Sequence, residues 1–111
     1  MDDVLGKDLI GKIIIRSGYL DTDPKEICVI TQHLKGGDFN TTDGYWLYPI
    51  AKIEKGNIEF IDSINRLREI DDDSTMNYRK INRKEKKLVQ EFFEENPDIK
   101  EKIEQKVQIK L

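Results

Sequence analysis

The sequence predicts an α+β fold. A small antiparallel barrel or strongly bent sheet of four or five strands covers about residues 5–81, one or two C-terminal helices cover 82–108, and 1–111 form a single domain. Three observations predict it. Short β-branched runs separated by Gly-rich turns fill the stretch from Leu9 to Ile70. From Leu88 onward the apolar residues recur at helical spacing. A chain of 111 residues with 37% hydrophobic residues has material for one core and no second catalytic domain.

The first strand is Leu9 to Arg16, ended by Ser17-Gly18, and Asp21-Thr22-Asp23-Pro24 is a turn signal. Glu26 to Leu34 is the second strand, closed by Lys35-Gly36-Gly37-Asp38. After the loop Asn40 to Gly44 come a third strand, Tyr45 to Glu54, and a fourth, Ile58 to Ile64, joined by the tight turn Lys55-Gly56-Asn57. Pro49 lies inside the third strand and removes a ladder donor, so that strand is expected at an edge or with a bulge there. Ile70 to Thr75, with three consecutive aspartates, reads as a loop, and Met76 to Ile81 as a fifth strand.

The first helix begins at Asn82, with Glu85 at capping-box spacing, and carries Leu88, Val89, Phe92 and Phe93 on one face. That face is expected to cap one open end of the sheet. Asn96-Pro97-Asp98 restarts a helix, with Asn as N-cap and Pro at the first helical position. Its stripe Ile99, Ile103, Val107 either packs with the first helix or faces a partner. Residues 107–111 alternate with period two, which leaves helix and strand both open for that end.

Composition excludes several function classes. The 22 acidic and 19 basic residues nearly cancel, to a net charge of −3, which is not the balance of a general DNA coat. No apolar run approaches the roughly 20 residues of a membrane span, so no membrane association is expected. The chain opens Met1-Asp2-Asp3 with no signal-peptide pattern, and Cys28 is a lone thiol in an apolar run; both fit a reducing cytoplasm, with Cys28 as a core residue. Ile occurs 16 times, Lys 14 times and Ala once, a bias that AT-rich coding explains and that points to a low-GC bacterium or one of its mobile elements.

The catalytic inventory is thin, and no enzyme activity is expected. His33 is the sole histidine, with no Ser or Cys in a nucleophile motif beside it. One imidazole with Asp38 and Asp43 at irregular spacing does not make a metal site. Asp71-Asp72-Asp73 lacks the alternation and glycine of a Ca²⁺ loop. Glu54 and Glu59, flanking a hairpin turn, read as exposed face residues. No phosphate-binding glycine motif occurs, so no cofactor is expected.

Two stretches are binding candidates. In Tyr45-Trp46-Leu47-Tyr48, Tyr45 and Leu47 face one way and Trp46 and Tyr48 the other. One pair is expected in the core and the other partly exposed, where Tyr45, Trp46 or Tyr48 would serve as a hot spot or a stacking platform. The competing reading is that a small domain needs all of them inside. The second stretch, Arg79 to Lys87, holds six positive charges and one negative. Arg79, Lys80, Arg83, Lys84 and Lys87 are its candidate binding residues. Cations at a helix N-terminus oppose the helix dipole, so helix stability alone does not place them there. The competing reading is a solvated face paired with the acids around it.

Two resemblances add to this. Gly6-Lys7-Asp8-Leu9-Ile10-Gly11-Lys12-Ile13-Ile14-Ile15-Arg16, the later strands, and Tyr78-Arg79-Lys80 leading into a charged helix resemble small phage and mobile-element proteins, in which an SH3-like barrel precedes a terminal helix. That resemblance implies accessory or anti-defence factors, some of which bind nucleic acid. Phe92-Phe93-Glu94-Glu95-Asn96-Pro97-Asp98-Ile99-Lys100-Glu101-Lys102-Ile103-Glu104 is similar to the C-terminal helical tail of RecA-type recombinases. Without a P-loop in the chain, no ATPase role comes with it. The expected function is therefore a non-enzymatic module that binds a protein partner. A nucleic-acid-binding small barrel, using the basic run and the strand aromatics, is the alternative.

Overall fold

The computed structural model describes residues 10–17, 25–34, 44–73, 77–108 and 111. Strands β1 (Ile13–Ser17), β2 (Lys25–Leu34), β3 (Gly44–Glu54), β4 (Asn57–Phe60), β5 (Ile70–Asp73) and β6 (Asn77–Lys80) precede helices α1 (Arg83–Glu95) and α2 (Pro97–Val107). The strands form one antiparallel sheet in the order β4-β3-β2-β1-β6. β5 also pairs with β3, along Gly44 to Leu47, while β4 pairs along Ala51 to Glu54. β4 and β5 are thus two halves of one interrupted edge, and the sheet is five strands wide. Among the described residues no pairing joins this edge to β6, so the sheet is bent and open.

β1 starts at Ile13, later than expected, because Gly11 takes a positive φ of 84° and turns the chain. The Gly11 N–H donates to the Ile30 carbonyl at 2.7 Å. Leu9, the expected first residue, lies outside the described residues. The β3–β4 turn is Lys55-Gly56, with φ of 51° and 80°, the left-handed pair that matches strand twist in a two-residue hairpin. Pro49 sits between the stretches of β3 that β4 and β5 cover, next to a register shift opposite Ile27 and Cys28. The missing donor therefore faces the gap in the edge.

β4 ends at Phe60, short of the expected Ile64. Ile61, Ile64 and Leu67 recur every third residue, which suits the 3-10 turn at Ile64–Arg66 and directs all three toward the core. The expected loop over Ile70 to Thr75 is also corrected: Ile70–Asp73 is strand β5. Aspartate is disfavoured in strands by local preference, but an edge strand needs only backbone pairing to β3. Met76 lies outside the described residues; the rest of the fifth predicted strand is β6.

Each face of the sheet carries a buried cluster. On one, Ile15, Ile27, Val29, Tyr48 and Ile50 pack with Val89, Phe92, Phe93, Ile99 and Ile103 of the two helices. Phe92 stacks on Phe60 with centroids 4.5 Å apart. The helices lie across this face and do not cap an end of the sheet. Leu88 is only half-buried and stands outside that cluster, while the α2 stripe packs inward. The other face carries Ile14, Cys28, Ile30, Tyr45 and Leu47, with Ile70 and Tyr78 against them.

Asn82 accepts from the Glu85 N–H while the Glu85 carboxylate accepts from the Asn82 N–H, both at 2.8 Å, which is the expected capping box. Asn96 differs from expectation. Its side chain makes no cap bond to α2 and instead donates back to the Phe92 carbonyl at 2.9 Å, closing α1. Pro97 opens α2 as expected. That helix runs to Val107, and Gln108 ends it in the left-handed region, so 107–111 do not begin as a strand. No described helix is long and apolar enough to cross a membrane.

Candidate functional site

The aromatic stretch of β3 splits three ways. Tyr45 is fully buried and Tyr48 is 7% exposed, so both are core. Burial raises the Tyr48 phenol above its ordinary value, and the nearby Glu69 carboxylate adds to that while Lys106 opposes it. Glu69 accepts a hydrogen bond from the buried Thr31 hydroxyl and lies 3.3 Å from Lys106 Nζ. Trp46 remains half-buried. Tyr45 and Leu47 are thus the expected core pair, and of the pair expected to be partly exposed Trp46 is so while Tyr48 is core, because the helices cover that face of the sheet.

Arg79 lies in the middle of β6, opposite Ile15 of β1, on the face the helices cover. Its guanidinium grips the Glu85 carboxylate with two contacts, at 3.0 and 2.8 Å, and donates to the Lys80 carbonyl at 3.1 Å. Arg79 thereby ties the start of α1 to the edge of the sheet. The Arg79 hydrogen bond holds the Glu85 carboxyl below its ordinary value despite burial, helped by the Asn82 N–H and by the charges of Arg79 and Lys25. The same bond raises the Arg79 guanidinium. Lys25 enters the cluster from β2, a neighbour no local sequence signal could announce.

The other cations of the run, Lys80, Arg83, Lys84, Lys86 and Lys87, are exposed and make no ion pair among the described residues. At about 100° per residue, Arg83, Lys84, Lys87, Glu91, Glu94 and Glu95 occupy one sector roughly 120° wide. Val89 is at the centre of the opposite, buried side of α1. The outward face of α1 is therefore basic over its first half and acidic over its second. Both signs oppose the helix dipole. Arg83 with Lys87, and Glu91 with Glu95, are moreover like charges at i, i+4 spacing, which destabilises a helix further.

Among the described residues, the two candidate stretches approach each other only on the concave face, where the ring of Tyr45 lies 6.2 Å from that of Tyr78, the residue before Arg79. The Trp46 and Arg79 positions are not partners in the sheet. Trp46 pairs with Gln32, whereas the level of Arg79 continues through Ile15 and Ile27 to Ala51. That is five residues further along β3 and three strands across in the hydrogen-bonded register. His33 is the penultimate residue of β2, but its side chain, like Asp38 and Asp43, lies outside the described residues. Among the described residues, no three His, Cys, Asp or Glu side chains form a group able to hold a metal ion. A shallow concavity of about 440 Å³ is lined by Glu26, Pro49, Lys52, Phe60, Asp62 and Arg66, among others. Of its three acids, Glu26, Glu59 and Asp62, the first and last are already paired, with Arg16 and Arg66.

Comparison of the chain with protein-family models, with curated proteins and with solved structures returned no match in any of the three.

Proposed function

We propose that the chain is a non-enzymatic protein-binding module whose contact surface is the outward face of α1. One observation carries this reading: Arg83, Lys84 and Lys87 and then Glu91, Glu94 and Glu95 share an exposed face in an order that weakens the helix itself. Charge placed against local stability calls for a compensating partner. A two-signed strip fits the mixed charge of a protein surface. A phosphate backbone would gain from the basic half but meet the three carboxylates roughly 13 Å further along the helix.

The alternative, a nucleic-acid-binding barrel, loses most of its stacking platform, since Tyr45 and Tyr48 are inside and Trp46 is half-buried. The test is capture of binding partners on the immobilised chain, with and without nuclease, beside titration with single- and double-stranded oligonucleotides at two salt concentrations. Nuclease-resistant capture that Lys84→Glu/Lys87→Glu abolishes supports the reading. Oligonucleotide binding with a steep salt dependence would replace it with the alternative.

A further inference from the structure

The order of charge on α1 is self-complementary. Reflected through position 89, chain positions 83, 84 and 87 become 95, 94 and 91. Every cation of the outward face therefore has a carboxylate at the mirror position. A second α1, antiparallel and related by a two-fold axis level with Val89 and Gln90, brings the three cations of each copy abreast of the three carboxylates of the other. Such an arrangement is isologous and closes at two copies.

We infer that the outward face of α1 is a self-association surface, on which a second copy of this chain docks antiparallel. This rests on the protein-binding reading and names the partner. The pairing supplies what the single helix lacks: each basic first turn meets acids, and each acidic last turn meets bases. All six residues and Gln90 between them are exposed, so the surface is open. No apolar side chain stands at its centre. α1 is 13 residues long, about 20 Å, and its strip covers well under the roughly 800 Å² per partner of a standard stable interface. The dimer is accordingly weak, transient and sensitive to salt.

Translational diffusion of the full chain, measured by NMR across a concentration series, reads this directly. At about 20 mM salt, with a screening length near 20 Å, the apparent mass rises with concentration. At about 500 mM salt, where screening acts within roughly 4 Å, the association constant falls at least about tenfold. Lys84→Glu/Lys87→Glu and Glu91→Lys/Glu94→Lys are each monomeric alone and form a heterodimer when mixed. Melting followed by circular dichroism confirms that each variant is folded. A wild-type chain monomeric at both salts, or a mixture that forms no complex, overturns the inference. If the wild type is monomeric yet Lys84→Glu/Lys87→Glu loses a captured partner, self-association falls and the protein-binding reading stands. If capture is also unchanged, both fall.

Discussion

Tyr45 on β3 and Tyr78 on β6 meet edge to face, with ring centroids 6.2 Å apart and planes at 80°. Those strands are separated by β2 and β1, three spacings or roughly 14 Å across a flat sheet. Side chains stand nearly perpendicular to a sheet, so the contact requires the sheet to curl around it. The curl buries Cys28, Ile30 and Leu47 on the concave side and frees the opposite face for the helices. Tyr78→Ala is expected to destabilise the fold by about 1–3 kcal/mol, from lost apolar burial and the ring contact. Urea unfolding measures it, and a value near zero would mean that the curl is held elsewhere.

Arg79 and Glu85 give the fold an acid-sensitive joint. The folded Glu85 carboxyl titrates below its ordinary value of 4.5, while in the unfolded chain it returns there. Between those two values the unfolded state binds more protons. The stability this group contributes is therefore complete above pH 4.5 and declines as pH falls through the folded value. Glu85→Gln should cost about 1–2 kcal/mol at neutral pH and flatten the loss of stability below 4.5. Unfolding curves across acid pH decide this; an undiminished acid slope in the variant would assign it to other groups.

The cations of the outward face are expected to lower stability. Lys84→Glu puts an acid in the first turn of α1, where it should add about 0.3–1 kcal/mol, while Lys87→Glu, beyond that turn, exchanges one like-charge i, i+4 pair for another and adds little. A higher melting temperature for the double variant, with loss of partner capture, separates a binding role from a structural one. A lower melting temperature would show that these lysines support the fold.

Gly56 holds a φ of 80° with no atom near enough to touch an added Cβ. Gly56→Ala should therefore cost about 1–2 kcal/mol through backbone strain alone. Denaturant midpoints at equal m-value check it.

Much of this architecture was legible along the chain, because capping and turn chemistry are local. Asn82 with Glu85, Pro97 at the start of α2, and Lys55-Gly56 each determine structure within a few residues. The elements that differed depend on distant partners. Asp71 to Asp73 form a strand because β3 offers a free edge there. Tyr48 is buried because α2 and Glu69 lie over it, and the tyrosines of β3 are core on two faces because the sheet both bends and carries helices. The basic run was visible as composition. Its division into one cation that anchors α1 and several that face outward depends on Arg79 lying opposite Ile15, a pairing that only the folded sheet creates.

Trp46 provides an internal control, since it is half-buried on β3 and is not part of the outward face of α1. Trp46→Phe should leave partner capture unchanged. Lost capture would return the aromatic strand to the contact surface.

The most direct test of the central claim compares nuclease-resistant partner capture by the wild-type chain with capture by folded Lys84→Glu/Lys87→Glu. A binding surface on the outward face of α1 predicts that the captured proteins are lost, or reduced at least about tenfold, in the variant. Equal capture by both chains would contradict it.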